Sequence, residues 1–379
     1  MGFPRRATRR GRGLLAGVVG VAALAGLAAV LGGCGEAAPV PGEPIRVRVA
    51  FGEVGVSPGQ FSYPRAMDAQ VDASGSWLWV VDKSGRVQKI DAATGACRAW
   101  WRMPAIALGK PTGITIGPAA GPGLADGDAG RAAVWLADTH YHQILVYDAA
   151  DAEMPGPGQE PREARVLARF GEYGEAPGQF VYVTDVALLL DAAGAVERVY
   201  VSEYGGNDRI TCLDSEFNVL FTFGAFGSGE TAERVEFNRP QAIGIDGLRR
   251  ELVVVDSCNH RVGRFTLDGE LIAWIGSPET AGDELGRFRY PWGLYLPGDG
   301  TALVVEQQGA RVQHIDLATG DALASYGRIG YGEGELVTPW SVTVIGEMAY
   351  VLDSGNNRIF GFDAPRVREP RVFRASQVG

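Results

Sequence analysis

The feature that most narrows what this chain can fold into is a motif it repeats. The run ELVVVD, Glu251 to Asp256, is followed by a small turn, SCNH, and by an arginine that opens a second apolar run, RVGRF. Five other stretches follow the same plan and end on Asp82, Asp138, Glu203, Glu306 and Asp353. Two more landmarks travel with them. An apolar residue precedes glycine at Phe51, Phe170, Phe223, Ile275 and Tyr326, and Trp101 takes that place once. A turn then leads to Pro64, Pro111, Pro240, Pro291 and Pro339, with Val183 in the sixth copy. Copies recur about every 50 residues. The one long interval, Trp101 to Phe170, holds two insertions rich in Gly and Pro, Ala119–Gly130 and Asp151–Glu163, which read as surface loops.

Within each copy, short runs such as AIGID, ELVVVD, RVGRF and ELIAWI are separated by Gly, Asp and Asn. That is the pattern of four short antiparallel strands, and four strands of about five residues with their turns fill one period. No amphipathic helix stands out beyond residue 44. A lone four-stranded sheet cannot cover its own apolar faces, so the copies must stack until a ring closes. The expected fold is all-β: a six-bladed β-propeller with four-stranded antiparallel blades over residues 45–365. Closure needs one more strand for the blade begun at Ser341. IRVRVAF, Ile45 to Phe51, alternates well and runs into Gly52 in register, so it is expected to supply that strand. The competing segment is Arg371 to Arg374 in the basic tail, residues 366–379.

The segments DSCNHR and DSGNNR carry a resemblance to NHL repeats, covering about Arg46 to Asp363. Asp256, Asn259, His260 and Arg261 match the repeat residue by residue, as do Asp353, Asn356 and Arg358. The chain departs from it at Gln143, where arginine is expected, at Val183, in the longer turn EYGGNDR, and at Gly309-Ala310. The resemblance implies an NHL-type propeller, a fold used for binding platforms, assembly scaffolds and, less often, enzymes, so it specifies architecture and leaves activity open. An acid recurring six times reads as structural: it can accept backbone hydrogen bonds at a tight turn and pair with the following arginine. His142 and His260 fall at the repeat's own histidine position and read as scaffold too.

The chain's beginning reads as an address. Arg5, Arg6, Arg9, Arg10 and Arg12 precede an uncharged run from Leu14 to Leu31, the plan of an export signal. Leu31-Gly32-Gly33-Cys34 resembles the lipobox of bacterial lipoproteins. It implies a signal peptide over 1–33, lipidation at Cys34, and a proline-bearing tether over 34–44 that holds the folded part at a membrane, facing the periplasm or exterior. The net charge is −10 and becomes more negative once the five leader arginines are removed. This argues against nucleic acid and against electrostatic membrane binding, so lipid alone should anchor the chain. Cys97, Cys212 and Cys258 show no CxxC spacing and read as small buried residues with at most one bridge.

In propellers that resemble this one, the loops entering the innermost strands and the acid–arginine turns surround the mouth of the central channel. The residues after the proline landmark are then expected to line it: Arg65, Thr112, Thr184, Gln241, Trp292 and Trp340. This set differs from copy to copy, and Asp185 adds an acid where the other copies carry Ala, Gly or Ser. Two indoles, an arginine, an amide and two hydroxyls suit a protein, peptide or glycan partner; the competing reading is that they plug the channel. The first expectation is therefore a binding or scaffold module without a cofactor. The alternative is a metal-dependent hydrolase or lyase, lactonase-like, with its site in the channel. Against it, none of the six positions is histidine, only His140 and His314 lie outside the repeat position, and Asp185 and Glu203 lack single-copy asparagines to complete a calcium site. No GxSxG, P-loop or dinucleotide motif is present.

Overall fold

The computed structural model describes residues 42–156 and 158–365. The signal segment, Cys34, most of the tether, the tail and the competing segment Arg371 to Arg374 lie outside the described residues. Six four-stranded antiparallel sheets follow one another along the chain. Blade one comprises Pro64–Asp72, Gly75–Asp82, Arg86–Asp91 and Cys97–Arg102. Blade two comprises Gly113–Pro118, Ala132–Asp138, Gln143–Asp148 and Val166–Phe170; blade three Tyr182–Leu190, Val196–Tyr204, Arg209–Asp214 and Val219–Phe223. Blade four comprises Pro240–Asp246, Glu251–Asp256, Arg261–Thr266 and Leu271–Gly276; blade five Pro291–Tyr295, Thr301–Glu306, Arg311–Asp316 and Ala322–Tyr326. Blade six takes Ser341–Ile345, Met348–Asp353 and Arg358–Asp363, with Val49–Phe51 as its outer strand. The innermost strands touch in sequence around the ring, and the last touches the first. Helix among the described residues is limited to four three-residue 3₁₀ turns.

The second strands show why a repeating unit cannot stand alone. In blade four, Leu252 and Val254 pack against blade three, whereas Val253 and Val255 pack against blade five. In blade two, Val134 and Leu136 face blade one, and Trp135 and Ala137 face blade three. Successive side chains in a strand point to opposite faces, and here both faces are interior, so these strands are continuously apolar. Burying one such side chain contributes about 1.5–3 kcal/mol. A separate blade would forfeit this on both faces.

The acid and arginine of each copy clamp the loop that enters the blade. Asp82, Glu203, Asp256, Glu306 and Asp353 accept backbone N–H bonds from Ser62, Val181, Asn238, Arg289 and Val337 at 2.7–3.1 Å. In blade one, Arg86 donates to Asp82 and to the carbonyls of Gly55, Ser57 and Gln60. Arg209 and Arg358 do the same with Glu203 and Asp353 and their own loops. Blade two differs: Gln143 donates to Asp138 at 2.9 Å, while the other carboxylate oxygen is buried without a protein partner. Burial raises Asp138 to about 6, against the Gln143 hydrogen bond and the charges of Arg169 and His142.

In blades six, three and four the last residue of the turn reaches onward to the next blade. Asn357 Oδ1, Asp208 Oδ1 and His260 Nδ1 accept the N–H groups of Tyr63, Arg239 and Tyr290, at 2.6, 2.6 and 3.1 Å. His142, His260 and Asn357 hold φ of 59°, 55° and 56°, a left-handed conformation that His and Asn tolerate better than most residues.

Closure uses the N-terminal strand, as the alternation of IRVRVAF predicts. Val49 pairs with Gly361 and Phe51 with Ile359. Ahead of it, Ile45 N–H donates to Gly334 O, and the Ile45 side chain is buried against blades five and six. Gly334 has φ 74°, and a Cβ there would fall 2.1 Å from Ile45 O, so the strap lies where only glycine leaves room. The first insertion of blade two is pinned to the body: Ala119 and Ala120 join the core, and Asp128 takes a two-pronged ion pair from Arg165 at 2.9 Å. The three described cysteines are free thiols.

Candidate functional site at the channel mouth

In blades one, three, four and five the residue after the proline landmark, or after Val183, sits in a bulge. Strand register slips between Pro64 and Ala66, Val183 and Asp185, Pro240 and Ala242, and Pro291 and Gly293. A bulge re-aims the extra side chain, here Arg65, Thr184, Gln241 and Trp292. Arg65, Thr112, Asp185, Gln241, Trp292 and Trp340 line one central cavity of about 400 Å³. Thr184 does not: it is buried and hydrogen-bonded to Ser202 Oγ and Pro240 O at 2.7 and 2.6 Å. Thr112 Oγ1 binds Thr139 Oγ1 at 2.7 Å and Thr184 O at 3.1 Å, so its hydroxyl serves the ring itself.

The two indoles are neighbours, with ring centroids 5.1 Å apart. They are only 5% and 6% exposed, so they make the floor of the mouth, not an open face. Half-buried groups cover them. Arg65 Cζ lies 5.2 Å from the Trp340 ring, with Tyr63 edge-on to the same indole at 6.0 Å. Arg239 Cζ lies 4.6 Å from the Trp292 ring and 4.5 Å from Tyr204. Tyr204 packs on Tyr182 at 5.1 Å, and Tyr182 packs on His140 at 5.1 Å. Rings and guanidinium groups thus form one continuous arc.

Sequence reasoning missed Tyr63, Tyr182 and Arg239, although they share a signal: each stands immediately before the proline landmark or its Val183 substitute. Tyr63 and Arg239 hold φ of 51° and 63°, where the following proline disfavours the helical alternatives and strain is stored. The turns of blades six and three keep them there through the N–H bonds described above.

Deeper in the channel stand two carboxylates. Asp185 Oδ2 accepts Ile243 N–H at 3.1 Å, and Asp68 Oδ2 accepts Ile116 N–H at 2.7 Å. Each ties its own blade to the following one. Both face channel space but are enclosed by the surrounding strands. Burial raises Asp185 to about 8, opposed by its backbone hydrogen bonds and assisted by the charge of Asp68. Asp68 rises to about 6 for the same first reason. Among the described residues, no group of three or more His, Cys, Asp or Glu is placed to hold a metal ion.

An apolar rim surrounds the mouth. The loops entering the blades carry Val54, Leu108, Tyr173, Phe226, Ile329 and Tyr331, all between 58% and 81% exposed. In blades one, three, four and six, an isolated bridge ties Val54, Tyr173, Phe226 or Ile329 to a fully buried anchor: Phe61, Phe180, Phe237 or Leu336. The loops are therefore held rigidly while their apolar tips face solvent. Exposed apolar groups gathered on one face mark an interaction surface.

No family model matches the chain, and no curated protein matches it. Among solved structures, it is similar to a protein of unknown function from Bacteroides thetaiotaomicron, with TM-score 0.55 and 17% identity over 83% of this chain and 72% of that one. Virginiamycin B lyase from Staphylococcus aureus aligns with TM-score 0.47 and 13% identity, over 78% of this chain and 80% of that one. The first likeness is one of fold.

Proposed function

We propose that this chain is a lipid-anchored, extracytoplasmic propeller of the NHL type that binds a protein, peptide or glycan partner through its channel-mouth face. The observation that carries the reading is the rim: apolar tips on rigid loops surround a recessed arc of aromatic and basic groups. Aromatic and arginine side chains near the centre of an interface commonly carry most of its binding energy. The Leu31–Cys34 box supports attachment by lipid at Cys34, and the acidic net charge supports a partner other than nucleic acid. The six acids Asp82, Asp138, Glu203, Asp256, Glu306 and Asp353 are read as scaffold and the mouth as site.

The test is affinity capture from the producing cells with the full chain. Wild type is compared with Tyr173→Ser/Phe226→Ser/Ile329→Ser on the rim and Val71→Ser/Leu248→Ser on the opposite face. The rim variant is expected to lose its partner at least tenfold while melting like wild type, and the opposite-face variant to keep it. Equal capture by all three would remove the mouth from consideration. The same cells report the anchor, since Cys34→Ser should leave the membrane fraction.

A further inference from the structure

We propose that the mouth takes the carboxylate of an acidic peptide segment, an Asp or Glu side chain, between the guanidinium groups of Arg65 and Arg239. This deepens the binding function proposed above and rests on it. Many arginines elsewhere in the structure are matched to acids: Arg86 to Asp82, Arg209 to Glu203, Arg311 to Glu306, Arg165 to Asp128 and Asp148. The guanidinium groups of Arg65 and Arg239 form an ion pair with none, and the acid nearest to Arg239, Asp208, acts on its charge only from a distance. Arg65 donates no hydrogen bond, and its Nε is buried without a protein acceptor. Arg239 gives one, from Nε to the neutral Gln241 Oε1 at 3.1 Å. Asp208, the acid beside Arg239, is occupied by the N–H groups of Gly205, Gly206 and Arg239 itself.

What lies against these two side chains is aromatic: Trp340 for Arg65, and Trp292 and Tyr204 for Arg239. A guanidinium lying over an indole is fixed through its face and keeps its in-plane N–H edge available, and that edge matches the two oxygens of a carboxylate. Arg65 and Arg239 are close enough to repel one another, and both act on the half-buried His140. A chain with 45 acids against 35 Lys and Arg thus sets two guanidinium groups near one another at this end of its channel. Like charges gathered in a partly desolvated recess are unfavourable until a counter-charge arrives, which makes the arrangement a receptor for an anion. A peptide is favoured over an acidic glycan by the aliphatic half of the rim: Val54, Leu108 and Ile329 offer apolar side chains a contact and a sugar no ring face, whereas Tyr173, Phe226 and Tyr331 would serve either.

The test is selection of a phage-displayed decapeptide library on the purified full chain, followed by calorimetry with the enriched peptides made synthetically. Enriched sequences are expected to share an Asp or Glu, and its replacement by Asn or Gln to weaken binding at least tenfold. Arg65→Gln and Arg239→Gln are each expected to weaken the acidic peptide at least fivefold and to lessen the effect of that replacement. Should either variant fold poorly, the peptide exchange on wild type decides alone. Enriched peptides without an acid, or acidic peptides indifferent to both arginine variants, overturn the carboxylate clamp. If those peptides still depend on Phe226 and Ile329, the mouth-face reading survives that failure. Absence of any enriched peptide, with uronate oligosaccharides binding instead, overturns the peptide assignment, and binding that ignores rim and arginines alike overturns both.

Discussion

At the scale of single residues, blades one and two offer a comparison within one molecule. Asp82 and Arg86 are both fully buried and bonded to each other. Asp82→Ala leaves a buried guanidinium without its carboxylate, a change that typically costs about 3–5 kcal/mol. In blade two the acid faces an amide, so Asp138→Ala removes a single hydrogen bond of about 1 kcal/mol and relieves a carboxylate that burial disfavours. Chemical denaturation should rank the two variants in that order, and equal losses would contradict the clamp. Asp185 supplies a second residue-scale prediction. Its folded pKa, about 8 against an ordinary 3.8, means the folded chain holds a proton that the unfolded chain has released. Wild-type stability attributable to this group is therefore greatest below about pH 4, falls as pH climbs, and levels off above about 8. Asp185→Asn keeps an acceptor for Ile243 N–H and removes the slope. Its melting temperature should exceed that of wild type by a margin that widens from pH 5 to pH 8.5. A margin that stays constant would show that the carboxylate ionises freely in the channel.

At the scale of elements, the ring is closed by three residues of the N-terminal strand and the strap ahead of them. The last blade would otherwise lack its outer strand, and Phe360 and Phe362 would lose Ile45 and Val47 from their cluster. A chain beginning at Gly52 is expected to lose its cooperative calorimetric transition, whereas one beginning at Gly42 should melt like the full chain. A cooperative melt for both would place closure elsewhere. Strands, blade number and this closure were legible in the sequence because each rests on local alternation repeated at a fixed period. Five of the six positions after the landmark, all but Thr184, do line the channel as expected, but the bulge that re-aims four of these side chains left no mark in the spacing. The arc over the mouth was not legible. Tyr63, Tyr182 and Arg239 come from the position before the landmark, Tyr204 from the end of a second strand and His140 from a turn. No one spacing along the chain relates all five, and they meet only because the ring brings six blades to a common centre. Burial of Trp292 and Trp340 was equally hidden, because whether an indole at a mouth is wall or floor depends on what a neighbouring blade lays across it.

At the scale of the whole molecule, the two ends of the propeller differ in kind. Hairpins between innermost and second strands, such as Asp72 to Gly75 and Asp246 to Glu251, carry only scattered exposed apolar residues, Val71 and Leu248 among them. The other end gathers the apolar tips and the arc of aromatic and arginine side chains, while the channel cavity runs along the innermost strands from Arg65 and Trp340 to Pro118, Leu190 and Leu296. This difference in surface chemistry sets the direction of recognition proposed above. The central claim is that recognition belongs to the mouth. It is tested most directly by placing a photo-crosslinking amino acid, one site at a time, at Phe226, Tyr331, Val71 and Leu248 of the full chain in the cells that make it. Discrete adducts at Phe226 and Tyr331 and none at Val71 and Leu248 are the predicted result; adducts at Val71 and Leu248 with none at the rim would contradict it.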